Sequence, residues 1–343
     1  MFSRIGLTAF LVAAAGGVHA AEAKRDPRPA ALAEEIAERG WIVYGARSEA
    51  GDWDLFLMRP DGSNIRNITN TPEISEAAPR FSFDGKQLLY RALEKDAQID
   101  HDQYGLQGRV MIADADGKHA RAIGEDREFP WACWSPDGVH ISCLTPKGIH
   151  IINYSTGKEV RKLPREGMYQ QVFWSADGLW FCGVTNKFGE SWTVARMQSV
   201  TGKINPVNEF QNCTPDWFPD SKRLIFSHRP DGQEGYGWTQ LWMADGDGSN
   251  KKLIYGEDGY HIYGGAVSPD GKYVLFTKGK ADGGQSEKSG APMGVMRLAD
   301  APLITGESQA LRKLHPDTKD GPILELPVGW EPHWTMHDIG EDK

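Results

Sequence analysis

The sequence predicts an all-β protein: a six-bladed β-propeller with four-stranded antiparallel blades, closed by pairing between its N- and C-terminal strands. Three observations carry this. A hairpin signature recurs as FSFDGKQLLY from 81, WSPDGVHISC from 134, WSADGLWFCG from 174, WFPDSKRLIF from 217 and VSPDGKYVLF from 267. Its Asp residues stand at 84, 137, 177, 220 and 270, intervals of 53, 40, 43 and 50 residues. A four-strand unit repeating every 40–50 residues or so, about the length of one blade, is the mark of a propeller. The third observation is a pair of incomplete units at the ends, WIVY at 41–44 and GWEPHWT at 329–335.

The first segment, MFSRIGLTAFLVAAAGGVHA, has a positive charge at Arg4, an apolar run from Ile5 to Ala15 and small residues at Val18 and Ala20. That is the pattern of a cleaved export signal, so residues 1–20 are expected to be a signal peptide and the protein periplasmic or secreted. Residues 21–40 are expected to form a polar lead-in with one short amphipathic helix, RPAALAEEIAERG, turning Leu32 and Ile36 inward. The propeller is expected over 41–343. No later stretch reaches the roughly 18 apolar residues of a membrane span.

Within each unit an aromatic or Val precedes the Asp by three residues, and Gly or Ser then leads into an apolar run. Gly after Asp supplies the positive φ of a tight hairpin between two antiparallel strands. A second hairpin accompanies the first, in DLFLMRPDGSNIRNIT from 54, RVMIADADGKHARAIG from 109, IHIINYSTGKEVRKL from 149 and QLWMADGDGSNKKLIY from 240. Each unit is thus a four-stranded meander. Trp334 aligns with Phe81, which puts His337 at the Asp position, while WIVY aligns with the second-strand QLLY at 87–90. EPHWT is therefore expected to pair with 41–46, completing a sixth blade and leaving no open edge.

These units resemble the WD-like repeats of the TolB family of bacterial periplasmic propellers, in WSPDG at 134–138, VSPDGKYVLF at 267–276 and the DGSN turns at 61–64 and 247–250. The resemblance spans 41–337 and covers the propeller domain only. TolB-family proteins carry an α/β domain ahead of the propeller, for which the lead-in here is too short. It implies a fold used for scaffolds, peptidase gates and polysaccharide lyases alike.

A net charge of -9 argues against nucleic acid as a partner. No G-x-S-x-G occurs, which speaks against a serine hydrolase. The DADG and DGDG turns lack the downstream Glu of an EF-hand. Cys133, Cys143, Cys182 and Cys213 form no CxxC pair and fall in or beside strand-like runs, so they are expected as buried free thiols, with three pairings open if they oxidise. The protein is expected to be a monomer with a protein or glycan ligand.

Register singles out the candidate site. Four residues before each Asp position stand Arg80, Cys133, Phe173, Asp216, Ala266 and His333. Six before it stand Ala78, Trp131, Gln171, Thr214, Gly264 and Glu331, and further out come Tyr169, His261, Tyr263 and Trp330. Equivalent positions around a ring point at one centre. The expectation is an axial funnel opening toward the longer connections, which start near 93, 228, 280 and 311. Arg80, Trp131, Tyr169, Gln171, His261, Tyr263 and Trp330 are its ligand-binding candidates, with aromatic faces to stack on sugars and polar groups to meet hydroxyls. Asp216, Glu331 and His333 are candidate acid/base residues of the alternative function, a polysaccharide lyase or glycoside hydrolase. No metal is assigned. The resemblance to oligogalacturonate lyases would recruit a divalent ion through His261, His333, His337 and Gln170 or Gln171. Against all this stands a structural role, with Arg80–Asp216 an ion pair and the aromatics wedged between blades.

Overall fold

Short apolar runs cut by Asp-Gly turns can bury their apolar side chains only by folding back as hairpins and packing sheet on sheet. The structure, a computed structural model, describes residues 26–95, 97, 108–123, 128–129, 131–189, 192–229, 239–257, 259–281, 290–305 and 321–340. The signal-like segment 1–20 and most of the long connections lie outside these residues.

Helix α1 (Arg28–Ile36) starts after Pro27 and buries Leu32 and Ile36 completely. Strands β1 (Trp41–Arg47), β2 (Trp53–Met58) and β3 (Arg66–Asn67) follow. β4 (Ile74–Phe81), β5 (Gln87–Glu94), β6 (Gly108–Asp114) and β7 (Arg121–Ala122) form one antiparallel blade, with β8 (Glu128–Phe129) added to β6. β9 (Trp131–Trp134), β10 (His140–Thr145), β11 (Gly148–Asn153) and β12 (Glu159–Leu163) form the next. β13 (Met168–Trp174), β14 (Trp180–Thr185), β15 (Thr193–Gln198) and β16 (Ile204–Asn208) repeat the arrangement. So do β17 (Asn212–Trp217), β18 (Arg223–His228), β19 (Gln240–Asp245) and β20 (Lys252–Tyr255). The last strands are β21 (Tyr260–Val267), β22 (Tyr273–Lys280), β23 (Ala291–Arg297) and β24 (Leu324–Thr335). The fold is an all-β propeller.

The ends meet in one sheet, ordered β21-β22-β23-β24-β1-β2-β3. The 12-residue β24 serves both sides: Leu324–Gly329 pair with β23, and Trp330–Thr335 pair with β1. Trp334 lies opposite Ile42 and His333 opposite Val43, as the alignment of EPHWT with 41–46 requires. Trp334 stacks on Tyr273 at 5.3 Å and donates its indole N–H to the Arg39 carbonyl at 2.7 Å. Leu32 and Ile36 of α1 join the same core cluster, and Glu35 holds the helix through Arg297 at 2.7 Å and the Tyr273 hydroxyl.

Tryptophans three residues before the Asp turns join neighbouring blades. Trp134 donates to the Arg80 carbonyl at 3.0 Å and Trp217 to the Phe173 carbonyl at 3.2 Å. A buried indole N–H usually finds an acceptor; at Trp134 and Trp217 the adjacent inner strand supplies it, whereas Trp174 Nε1 has none. Ser221 replaces the turn Gly in WFPDSK yet still adopts φ 59°, and its hydroxyl accepts the Asp177 amide at 3.0 Å. All four cysteines are free; Cys133, Cys143 and Cys182 are buried and Cys213 half-buried.

Candidate functional site

The inner strands bring their equivalent positions together around one cavity of about 280 Å³. Its floor is Arg80, Cys133, Phe173, Asp216 and His333, one residue each from β4, β9, β13, β17 and β24. The residues next in sequence, Phe81, Trp134, Trp174, Trp217 and Trp334, form the wall together with Val267 of β21. Phe83, Ala176, Pro219 and Pro269, each just before a turn Asp, form the rim.

This cavity opens between the Asp-Gly turns, and most of the longer connections that would frame the expected funnel mouth lie outside the described residues. On the other side of the floor a small concavity is lined by Ala78, Arg80, Arg91 and Trp131. Trp131 is buried, packs edge-on against Phe173 at 5.3 Å and receives the Arg91 guanidinium 5.6 Å from its ring. Gln171 and Thr214 are buried at the same level.

Arg80 and Asp216 form the polar centre of the floor. Their ion pair measures 2.6 Å and joins β4 to β17, with two whole blades between them in the chain. The guanidinium also lies 3.9 Å from the centre of the Phe173 ring, and Asp216 accepts the Trp217 amide at 2.8 Å. Burial works against the Arg80 charge, but the Asp216 carboxylate outweighs it and holds the guanidinium above its usual range. Burial, then the neighbouring Arg80, pushes His333 well below the ordinary histidine value, so the ring is neutral. Its Nδ1 accepts the Phe81 amide at 3.2 Å, which assigns the proton to Nε2. Burial pushes the Cys133 thiol up to about 12. A protonated thiol of this kind is no nucleophile.

Glu331 is not on the cavity wall. Burial raises its carboxyl above the usual range, against the pull of Arg91 and Arg80, and it accepts the Ala78 amide. Three of the four ionisable funnel candidates therefore share the cavity, and Glu331 lies apart from it. The aromatic candidates are packed rather than presented. His261, Tyr263 and Trp330 are 3%, 1% and 3% exposed. Tyr263 contacts His261 at 4.5 Å and Trp330 at 5.3 Å, and His261 Nδ1 meets the Thr239 hydroxyl at 2.8 Å. Tyr169 is half-buried, and burial raises its hydroxyl pKa. His261, Tyr263 and Trp330 offer no free face for a sugar in this conformation. Among the described residues no three His, Cys, Asp or Glu side chains converge as metal ligands, and His337 sits in the turn after β24.

The register set six before the turn position shares one backbone feature. Ala78, Gln171, Thr214, Gly264 and Glu331, all six before the turn position, take left-handed φ values of 54°, 51°, 49°, 64° and 50°. The inner-strand pairing shifts at the same places, the signature of a bulge that re-aims side chains. Only the glycine among these five residue types favours that backbone. Phe173 and Cys133, aligned by register alone, supply the apolar half of the floor.

No family model matches the sequence, and no curated protein matches it. Solved structures do. TolB from Acinetobacter baumannii superposes with a TM-score of 0.62 at 16% identity, over 87% of this chain and 67% of that one. A chain of a nidogen/laminin complex gives 0.55 at 10% identity, over 76% and 90% of the two chains. Hydrazine synthase from Kuenenia stuttgartiensis gives 0.51 at 14%, over 87% and 89%. The shared property is the propeller fold, in TolB as here. At such identities the likeness carries no activity with it.

Proposed function

We propose that this chain is an exported, six-bladed propeller that binds a segment of another protein in the axial cavity between its Asp-Gly turns. Counting β24 as an inner strand of one blade and the outer strand of its neighbour supports six blades over 41–343, after a lead-in over 21–40. Export to the periplasm or beyond rests on the signal-like pattern of 1–20. No helix among the described residues is long and apolar enough to cross a membrane. Pairing of β1 with β24 removes one open edge and favours a monomer.

One observation carries the binding reading: an open cavity with an apolar rim and an ion-paired floor. Phe83 is 51% exposed at its mouth. An aromatic held in water beside an apolar concavity is suited to docking, and the floor offers a guanidinium and a carboxylate to orient what enters. A glycan is the other ligand this arrangement admits. The catalytic reading finds no comparable support. Asp216 is engaged by Arg80, His333 accepts a backbone amide, and Glu331 stands off the cavity.

The test is a selection from a random peptide display library beside a glycan array, using the full chain and Phe83→Asp. Peptide ligands should emerge whose affinity falls at least about tenfold in the variant, with an unchanged Tm because Phe83 is exposed. Peptide binders indifferent to Phe83→Asp, or glycan binders alone, would overturn the reading.

A further inference from the structure

The opposite face of the closing blade holds a second concavity. Residues 48–52 join β1 to β2 and residues 68–73 join β3 to β4, both at strand ends remote from the Asp61-Gly62 turn. Between them lies a pocket of about 580 Å³ whose wall includes Glu49, Asp52, Asp54, Phe56, Asn67 and Asn70. Residues two apart at the start of a strand project to one side, which places Asp52 and Asp54 together.

These carboxylates lack a counter-charge. Asp52 is 2% exposed; its Oδ1 accepts the Ser48 hydroxyl, and its Oδ2 has no hydrogen-bond partner. Asp54 accepts the Asn67 amide. Among the described residues no Lys, Arg or His forms an ion pair with Glu49, Asp52 or Asp54. Arg47, close by in sequence, turns its guanidinium to the Gly51 carbonyl at 2.6 Å and over the Trp53 ring at 5.2 Å. Glu76, 1% exposed, lies beside Asp54, and burial with that neighbouring carboxylate raises its own carboxyl above the usual range, so it brings no counter-charge. A buried carboxylate oxygen without a donor is costly, and a cation entering the pocket would relieve that cost.

The shape says which kind of cation. No three His, Cys, Asp or Glu side chains converge as metal ligands among the described residues, whereas calcium takes about six to eight oxygens. The volume suits a molecule rather than a bare ion. Phe56 supplies an aromatic surface on which an organic cation is favoured. We infer that this pocket binds a small organic cation bearing an ammonium or guanidinium group, with Asp52 as its principal counter-charge and Asp54 beside it. The site goes beyond the axial cavity and does not depend on it, since the two open on different faces.

Free diamines and the Lys or Arg side chain of a partner share this chemistry. Calorimetric titration of the full chain with agmatine, putrescine, a capped Ala-Arg-Ala tripeptide and calcium chloride separates them. Agmatine or putrescine should bind with Kd below about 1 mM, and Asp52→Asn should weaken that at least about tenfold. Phe83→Asp should leave it unchanged, so failure here is distinguishable from failure at the axial cavity. Binding of the tripeptide alone, lost in Asp52→Asn, would assign the same pocket to a protein side chain. In the absence of ligand Asp52→Asn should hold or raise the Tm. No organic cation binding, calcium binding alone, or binding that survives Asp52→Asn would each overturn the inference.

Discussion

Replacing Trp334 by alanine should be among the most costly single truncations in the closing blade. The side chain is 2% exposed, stacks on Tyr273 and packs in the cluster that contains Leu32, Ile36 and Leu326. Deleting a buried Trp costs about 3–5 kcal/mol through lost transfer energy and the cavity left behind. The Arg39 carbonyl also loses its donor, which adds about 1 kcal/mol or more if water does not replace it. Against a typical margin of about 5–15 kcal/mol that is a large share. It corresponds to a fall in Tm on the order of 10 °C for a chain of this size. Trp334→Phe keeps most of the packing and loses the N–H, so it should cost about 1 kcal/mol plus a smaller packing loss. Urea and thermal unfolding of the two variants give the comparison directly. Removal of residues 331–343 should in addition unpair β1 and drive self-association through its bare edge, visible by light scattering. A Trp334→Ala variant within about 2 °C of the parent Tm would refute the reasoning, because the strand would then carry none of the closure.

Two further predictions concern charge. Asp216→Asn leaves the largely buried Arg80 guanidinium unpaired and should cost about 3–5 kcal/mol, while the apolar double variant Arg80→Met/Asp216→Leu should fall within about 1 kcal/mol of the parent. Equal losses in both, measured by urea unfolding, would show that packing rather than the ion pair matters there. Burial, opposed by the Thr71 hydroxyl and reinforced by Asp54, raises Glu76 from 4.5 to about 7. Because the folded state holds this proton more tightly than the unfolded chain, the group's contribution falls as pH rises from 4.5 to about 7, by on the order of 3 kcal/mol. Glu76→Gln should therefore stabilise the protein at pH 8 and do little at pH 4, and a stability difference independent of pH would contradict that.

The repeat was legible because its physics is local. Asp-Gly at a turn, an aromatic three residues earlier and an apolar run afterwards specify a hairpin wherever they occur. Register then carried the inference from single hairpins to the ring. The positions four, three and one before the turn Asp became floor, wall and rim, which is why Arg80, Asp216 and His333 meet although they lie far apart in the chain. That a cavity lies between the Asp-Gly turns was not legible, because Phe83, Ala176, Pro219 and Pro269 read only as turn residues. Nor was burial of His261, Tyr263 and Trp330, since an aromatic near a loop reads the same whether it stacks on a ligand or on its neighbours. Asp52 left no trace in the repeat because the second-to-third-strand connections differ in length and residue type from blade to blade.

The bulges explain why binding chemistry should gather on the turn face. Five inner strands interrupt their pairing six residues before the turn position, whereas β9 pairs regularly and places Trp131 there. A bulge leaves backbone N–H groups without ladder partners, and these are taken up between blades. The Gly264 amide donates to Thr214 Oγ1 at 3.1 Å, and the Ala78 amide donates to the Glu331 carboxylate. Each of these two bonds runs from one inner strand to the next across a blade boundary, while Gln171 Oε1 stays buried without a partner. Holding Ala, Gln, Thr and Glu at left-handed φ costs about 1 kcal/mol or more per residue. The ring accepts that cost because the same geometry links its blades around the axis. Glu331 is consumed by this belt, which removes it from any acid/base pair with Asp216 or His333. The cavity between the Asp-Gly turns lies on the other side of the floor, where Phe83, Ala176, Pro219 and Pro269 surround Arg80 and Asp216.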